Sequence, residues 1–304
     1  MVKCTLETCF MKNAKLMTMW IVALAVFLLA CTALFIWNAG FLTDKNVAIV
    51  VVQRGSVSFV EASGDMTGFV GQRQMQVGQT VQTGSGEALI IVNENFYLWL
   101  RPYSRATLSL LDKKEVVIDL DDGQLWYMHV NDSNNFAQQM YLITPLTNTT
   151  PANARLLLTY DDKVKSTTTF VVDGSAQVSD EFLDMWLESM QESIKTDTNG
   201  LHRVDPSAAS RQIAIYQLQK DYALLCSARM QEIQHYGIAL NVVKQKFNVT
   251  DMQIDDTLRK IDRGEMSAQD LLSQSPVPIP DISRTLSLTA NARQTWLIQQ
   301  NFSS

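Results

Sequence analysis

Three histidines, four cysteines, one glycine-rich turn and two pairs of adjacent acids are the residues whose types could carry chemistry in this chain. His129, His202 and His235 fall on an expected strand, loop and helix. None has the His-x3-His or His-Glu-x-x-His spacing that sets two ligands on one helix face. Cys4 and Cys9 have no second ligand pair nearby to complete a tetrahedral site. Cys31 lies in an apolar run, and Cys226 is alone in the large remainder, which therefore has no internal disulfide. Thr83-Gly84-Ser85-Gly86 precedes an expected strand, whereas a phosphate cradle precedes a helix and ends in Lys-Ser/Thr, so it reads as a hairpin turn. Asp121-Asp122 and Asp161-Asp162 read as turn acids, with a calcium role as the alternative. Asn131, Asn148, Asn248 and Asn301 fit the glycan-acceptor pattern, which arises by chance in polar chains. The expectation is a protein that is not an enzyme, with no catalytic residues, no metal and no cofactor.

The elements that would position these groups divide into three stretches. The 304 residues are 46% hydrophobic and 18% charged, enough apolar content for a core. Net charge is −6, with no concentrated basic stripe, so a nucleic-acid partner is not expected. Residues 1–16 read as a short cytoplasmic tail carrying Lys3, Lys12 and Lys15. Met17–Trp37 contains no charge over 21 residues. As a helix it would run about 31 Å, against a hydrocarbon thickness of ~30 Å. Trp20 and Trp37 stand near its ends, and the preceding lysines favour an inward N-terminus. The expectation is a single-pass anchor in the lipid of a bacterial inner membrane, with the bulk of the chain extracytoplasmic. A lipoprotein signal ending at Cys31 and a cleaved export signal are the alternatives, and both also export the remainder.

Residues 46–178 change period to short strands: Val47–Val52, Val57–Val60, Ala88–Val92, Tyr97–Leu100, Ala106–Leu111, Val116–Leu120, Leu125–Val130, Tyr141–Thr144, Arg155–Tyr160 and Thr167–Val172. Breaks are expected between them at Asn93-Glu94-Asn95, Arg101-Pro102, Asp121-Asp122-Gly123 and Pro145–Pro151, and after them at Asp173-Gly174. This spacing predicts an all-β roll, sandwich or solenoid.

The same stretch resembles the FecR-like extracytoplasmic domain family of bacteria. The residues that carry the resemblance are Gly55-Ser-Val, Val77-Gly78, Thr83-Gly84 and then Ala88. It continues through Leu98-Trp99-Leu100, Pro102, Ser104, Leu108, Leu110, Leu120-Asp121-Asp122-Gly123 and Leu125. Thr144-Pro145, Asp173-Gly174, Ala176 and Val178 complete it. Glu94-Asn95 replaces the family's Asp-Gly-Ser hairpin, and Asn153–Leu157 replaces its Gly-Thr-x-Phe stretch, which marks a diverged member. The resemblance implies an all-β module just outside the inner membrane. In the family that module follows a cytoplasmic anti-sigma region of about eighty residues. The sixteen residues before Met17 are too few for a core, so the anti-sigma role is not expected to carry over.

Residues 179–274 read as helical. Ser179-Asp180-Glu181 would cap Phe182–Ile194, with Phe182, Met185, Trp186, Met190 and Ile194 on one face. A second helix is expected from Ser207 to Phe247, bent or split at Gly237. Its stripe includes Leu218, Tyr222, Cys226, Met230, Ile233, Tyr236, Leu240 and Val243. That stripe would either pack internally as a helical hairpin or dock a homo- or hetero-oligomeric protein partner, as in a coiled coil. Ile254, Leu258 and Ile261 mark a short helix stopped by Gly264, and Ser267-x-x-Asp270 caps another. Residues 275–304 read as a Pro-rich linker and an unassigned tail.

The fold class expected is therefore α+β and multi-domain: a transmembrane helix, a FecR-like all-β module and an α-helical C-terminal part. The expected function is a membrane-anchored, extracytoplasmic structural or protein-interaction component of the cell envelope. A FecR-type transmembrane sensor or regulator is the alternative, and an envelope glycan-binding protein the second.

Overall fold

A computed structural model describes residues 46–61, 64–130, 138–236, 248–266 and 283–303, together with 241, 244 and 245. Fifteen strands share one continuous sheet: β1 Ala48–Arg54, β2 Val57–Val60, β3 Met66–Phe69, β4 Gln72–Met75, β5 Thr80–Thr83, β6 Glu87–Val92, β7 Phe96–Leu100 and β8 Arg105–Leu111, then β9 Glu115–His129, β10 Gln139–Ile143, β11 Asn148–Asp161, β12 Ser166–Ser179, β13 Asp184–Glu188, β14 Gln191–Thr196 and β15 His202–Val204. Among the described residues the helices α1 Ala208–His235, α2 Asp251–Asp262 and α3 Ser283–Ser303 follow.

Three long strands make the sheet continuous. The first half of β9 pairs with β8 and β10, and its second half with β7 and β11. The first half of β12 pairs with β14, and its last residues, Ser175–Ser179, with β13. The bends fall at glycines. Gly123 (φ +94°) sits against Ser104, and Gly174 (φ +80°) against Asn153, which is itself left-handed at φ 46°. A Cβ at either glycine would collide with the neighbouring strand, so only glycine turns the corner there.

Each long strand thereby serves two layers. One holds β1, β6 and β7 with the later parts of β9 and β11 and the start of β12. The other holds β2, β5, β8 and β10 with the remaining parts and β13. Period-2 alternation decides what each face does. Ile90, Leu98, Leu100, Leu125, Tyr127, Leu156 and Leu158 join Val57, Phe59, Val81, Leu108, Ile118, Leu142 and Val178 in one core between the layers. Leu89, Tyr97, Trp99, Trp126, Leu157 and Phe170 point the other way, where Ala214, Leu218 and Leu225 of α1 and Leu288 and Ala292 of α3 cover them. All five residues of β7 are buried for that reason.

The multi-domain expectation is corrected here. Val47–Ser304 forms one unit, mostly a single large sheet, and its C-terminal helices share a core with that sheet. Among the described residues no helix is long and apolar enough to cross a membrane. The expected tail and anchor, residues 1–37, lie outside the described residues, as do the Ser267-x-x-Asp270 cap and the linker at 275–280.

Four local readings also change. Asp121-Asp122-Gly123 and Asp173-Gly174 bend β9 and β12 without ending them. The Phe182–Ile194 helix is instead β13 and β14, joined at Met190 (φ 64°). Its apolar spacing imitates a helix, but the open edge of β12 supplies pairing along both strands. Thr83-Gly84-Ser85-Gly86 is not a hairpin, because β5 and β6 do not pair with each other. It crosses between layers beside the Arg54-Gly55 turn, so close that a Cβ on Gly55 would lie 2.6 Å from the Gly86 Cα. Finally, the unassigned tail is a 21-residue helix lying on α1 and the sheet. α1 itself starts at its Ser207 cap as expected, and α2 carries a Thr250–Gln253 capping box.

Candidate functional site

Two surfaces of the sheet can do something beyond closing the core: the face under the helices and the face left open. The seam under α1 and α3 holds the polar residues with the most constrained surroundings. Asp221 is fully buried on α1 and accepts from two indoles, Trp99 Nε1 at 3.0 Å and Trp126 Nε1 at 2.8 Å. Trp99 and Trp126 are directly paired across β7 and β9, which is what brings both donors to one carboxylate. Burial pushes the Asp221 carboxyl up to about 6, opposed by Arg155, the two indole bonds and Lys220. Lys220 pairs with the buried Glu87, and its ammonium lies 4.6 Å from the Trp99 ring centroid. Arg155 donates to Asp173 at 2.8 Å and to Thr295 Oγ1 of α3 at 2.9 Å. Glu192 on β14 accepts from the Ser207 N–H and Ser210 Oγ, both at 2.8 Å, and so holds the start of α1.

The stripe expected to dock a partner lies within this seam and the bundle beside it. Leu218 packs on the sheet, and Tyr222 packs partly buried beside it. Met230, Ile233 and Tyr236 pack with Leu258 and Ile261 of α2. Cys226 is buried 3.8 Å from Arg229. Arg229 is fully buried and makes a two-pronged pair with Asp262, at 2.7 and 2.9 Å, and the Tyr222 hydroxyl adds 3.0 Å to the same carboxylate. Leu240 and Val243 lie outside the described residues. Of the six described members of the stripe, Leu218, Cys226 and Ile233 are buried and Tyr222, Met230 and Tyr236 are half-buried against this chain's own elements. Helix periodicity reports a buried face, and cannot tell a self-covered face from a partner-covered one.

The remaining candidates are dispersed. His129 stacks on Phe96 at 5.0 Å and shares a 2.9 Å bond with Asn153; burial holds its imidazole below the usual range. His202 and His235 sit on β15 and at the end of α1. Among the described residues no group of three or more His, Cys, Asp or Glu could hold a metal ion. Asp161 accepts from the N–H groups of Lys163 and Val164, Asp162 pairs with Lys165, and Asp121 lies with Arg105 and Thr107.

The outward face of the β8–β13 layer differs from the helix-covered face. The registers align Trp186, Gln177, Thr150, Tyr141, Val117 and Leu110 in one row across six strands. Thr150–Tyr141 follows by extending the β10–β11 pairing by one residue. Tyr141, Val117 and Leu110 are only half-buried and join none of the core clusters, and the helices make their apolar contacts with the other layer. Trp186 is 53% exposed. Beside it, Phe182, Leu183 and Met190 are exposed too. The apolar spacing of this region reads as a helix in the sequence, which hides the face. The alternation of Asp184, Trp186 and Glu188 around Leu187 is the signal that could have found it.

No protein-family model matches the chain, and no curated protein matches it. Two solved structures from Parabacteroides distasonis, each described as "a putative anti-sigma factor", are similar to it. One is 9% identical with a TM-score of 0.39, over 45% of this chain and 62% of its own. The other is 10% identical with the same TM-score, over 45% and 64%. The chain covers less than two thirds of either structure, and likeness at this level carries no argument about fold or role.

Proposed function

We propose that this protein is a protein-interaction component of the bacterial cell envelope, built on a diverged FecR-like β module. The observation that carries the reading is the sheet face that no described helix covers, with Trp186, Tyr141, Val117 and Leu110 in one row interrupted by Gln177 and Thr150, and with Phe182 and Met190 exposed at its Trp186 end. Exposed aromatic and aliphatic side chains on a sheet face can anchor a partner, and aromatic anchors dominate interaction sites. The ordered FecR-like residues from Gly55 to Val178 support the envelope setting. The fixed seam supports a scaffold role: the helices are held by buried charge-assisted bonds and leave one face of the sheet free.

Affinity purification of the full-length chain, with Trp186→Ser compared against wild type, tests this. The expected outcome is a partner retained by wild type and lost with Trp186→Ser at an unchanged melting temperature. Retention of the same partner by both forms would contradict it.

A further inference from the structure

We infer that the partner segment recognised at the Trp186 end of the open face is cationic and apolar, and that it lies across the face without adding a strand to the edge. This rests on the interaction reading above and specifies its chemistry.

The first observation is the order of residues in and before β13: Glu181-Phe182-Leu183-Asp184-Met185-Trp186-Leu187-Glu188. Leu187 is buried in the core, so Asp184, Trp186 and Glu188 alternate onto the outward side. Glu181, Asp184 and Glu188 are all exposed. Carboxylates therefore interleave with the exposed aromatic and aliphatic side chains. The cations of this layer stand elsewhere or are engaged. Arg105 pairs with Asp121, Lys195 with Asp180, and Lys113 and Lys114 lie in the β8–β9 turn at the far end of the row; Arg203, on the Trp186 carbonyl, is one cation against Glu181, Asp184 and Glu188, which leaves this end net negative. That net negative charge favours a partner that brings Lys or Arg between its own apolar residues.

The second observation concerns the edge. Among the described residues β13 pairs only with β12, so its other side would ordinarily accept a strand. Two of the backbone groups on that side are already engaged. Arg203 of β15 donates to the Trp186 carbonyl at 2.7 Å, and the Gln191 side chain accepts from the Glu188 N–H at 2.9 Å. With those two groups engaged the ladder an added strand would need is interrupted at its centre and end, which favours approach across the face.

The same features argue against a second copy as the occupant. Antiparallel pairing about Trp186 would set Asp184 against Glu188 twice, and face-to-face stacking would oppose like charges. An anionic lipid surface meets the same repulsion.

The test uses the full-length chain and two labelled amphipathic peptides with identical leucine and tryptophan positions, one carrying lysine and the other glutamate between them, followed by fluorescence anisotropy. The lysine peptide is expected to bind and to weaken as salt rises, and the glutamate peptide to bind at least about tenfold more weakly. Trp186→Ser should weaken the lysine peptide at least about tenfold, as should Asp184→Lys/Glu188→Lys, and the charge reversal should also favour the glutamate peptide. Asp184→Ser/Glu188→Ser, which changes less, should give a partial loss in the same direction, and thermal melts confirm that each variant folds. Equal binding of both peptides, or lysine-peptide binding untouched by charge reversal, overturns the inference. So does self-association abolished by Trp186→Ser, or binding to vesicles rich in phosphatidylserine. If the charge variants have no effect while Trp186→Ser still loses the cellular partner, the interaction reading stands and only its cationic refinement fails.

Discussion

At the scale of single residues, the energetics concentrate where polar groups lie under the helices. Asp221 is the clearest case. Its folded carboxyl titrates near 6 against an ordinary 3.8, so between those values the folded state holds a proton that the unfolded chain has released. Stability therefore falls as pH rises from about 4 to about 6 and levels off above, by on the order of 3 kcal/mol if nothing else titrates. Asp221→Asn should erase that fall in denaturation curves taken across the window, because the amide oxygen still accepts from an indole and carries no charge. Asp180 works in the opposite sense. The Phe182 N–H, with Lys195 and the Leu183 and Leu201 N–H groups, holds its carboxyl down to about 2, so its contribution is lost as pH falls below about 4. Gln217, one turn before Asp221, is fully buried, and neither its Oε1 nor its Nε2 has a partner. Gln217→Leu should raise stability by roughly 1–2 kcal/mol in chemical denaturation, because an unpaired amide loses its hydration with nothing in return. Little of this was readable in the sequence. A lone Asp or Gln on an apolar stripe shows that something polar is buried, whereas Trp99 and Trp126 become its partners only through the β7–β9 register.

The elements were legible in proportion to how locally they are determined. Ser207 and Gly264 mark ends of α1 and α2 by short-range chemistry, and the sequence reading finds them, whereas the Thr250 cap of α2 appears only in the structure. Most strand cores were also readable from alternation. What local pattern misses is where a strand bends instead of stopping, because that depends on a neighbour at the bend. Asp173-Gly174 looks like a turn, yet Gly174 sits against Asn153 and carries β12 into the second layer. Gly174→Ala should therefore cost about 2–4 kcal/mol, through collision as well as positive φ. Gly78→Ala, at φ 86° with open space around it, should cost only about 1–2 kcal/mol, and chemical denaturation of the two variants gives the comparison. Between helices, removing one side of the fully buried Arg229–Asp262 pair leaves a stranded charge. Asp262→Ala should cost about 3–5 kcal/mol and abolish amide-exchange protection in α2 before the sheet loses its own.

At the scale of the whole molecule, one sheet has been made to serve three environments: a core between its layers, a helix-covered side and an open side. β6 and β7, buried on both faces, belong to the first two; the row from Trp186 to Leu110 belongs to the third. The stripe on α1 is the most conspicuous apolar feature of the helical sequence, and its described residues are buried or half-buried where α2, α3 and the sheet meet on it. The surface that is available came from a segment whose spacing imitates a helix. The central claim is that this open face, and not the helical side, is where the protein meets its partner. Photocrosslinking from single positions in the full-length chain, in its own cells, tests it most directly. A photoreactive residue at Tyr141 or Trp186 is expected to give one common crosslinked protein, and one at Met252, 82% exposed on α2, is expected to give none of it. The same protein captured from Met252 and not from Tyr141 or Trp186 would contradict the account.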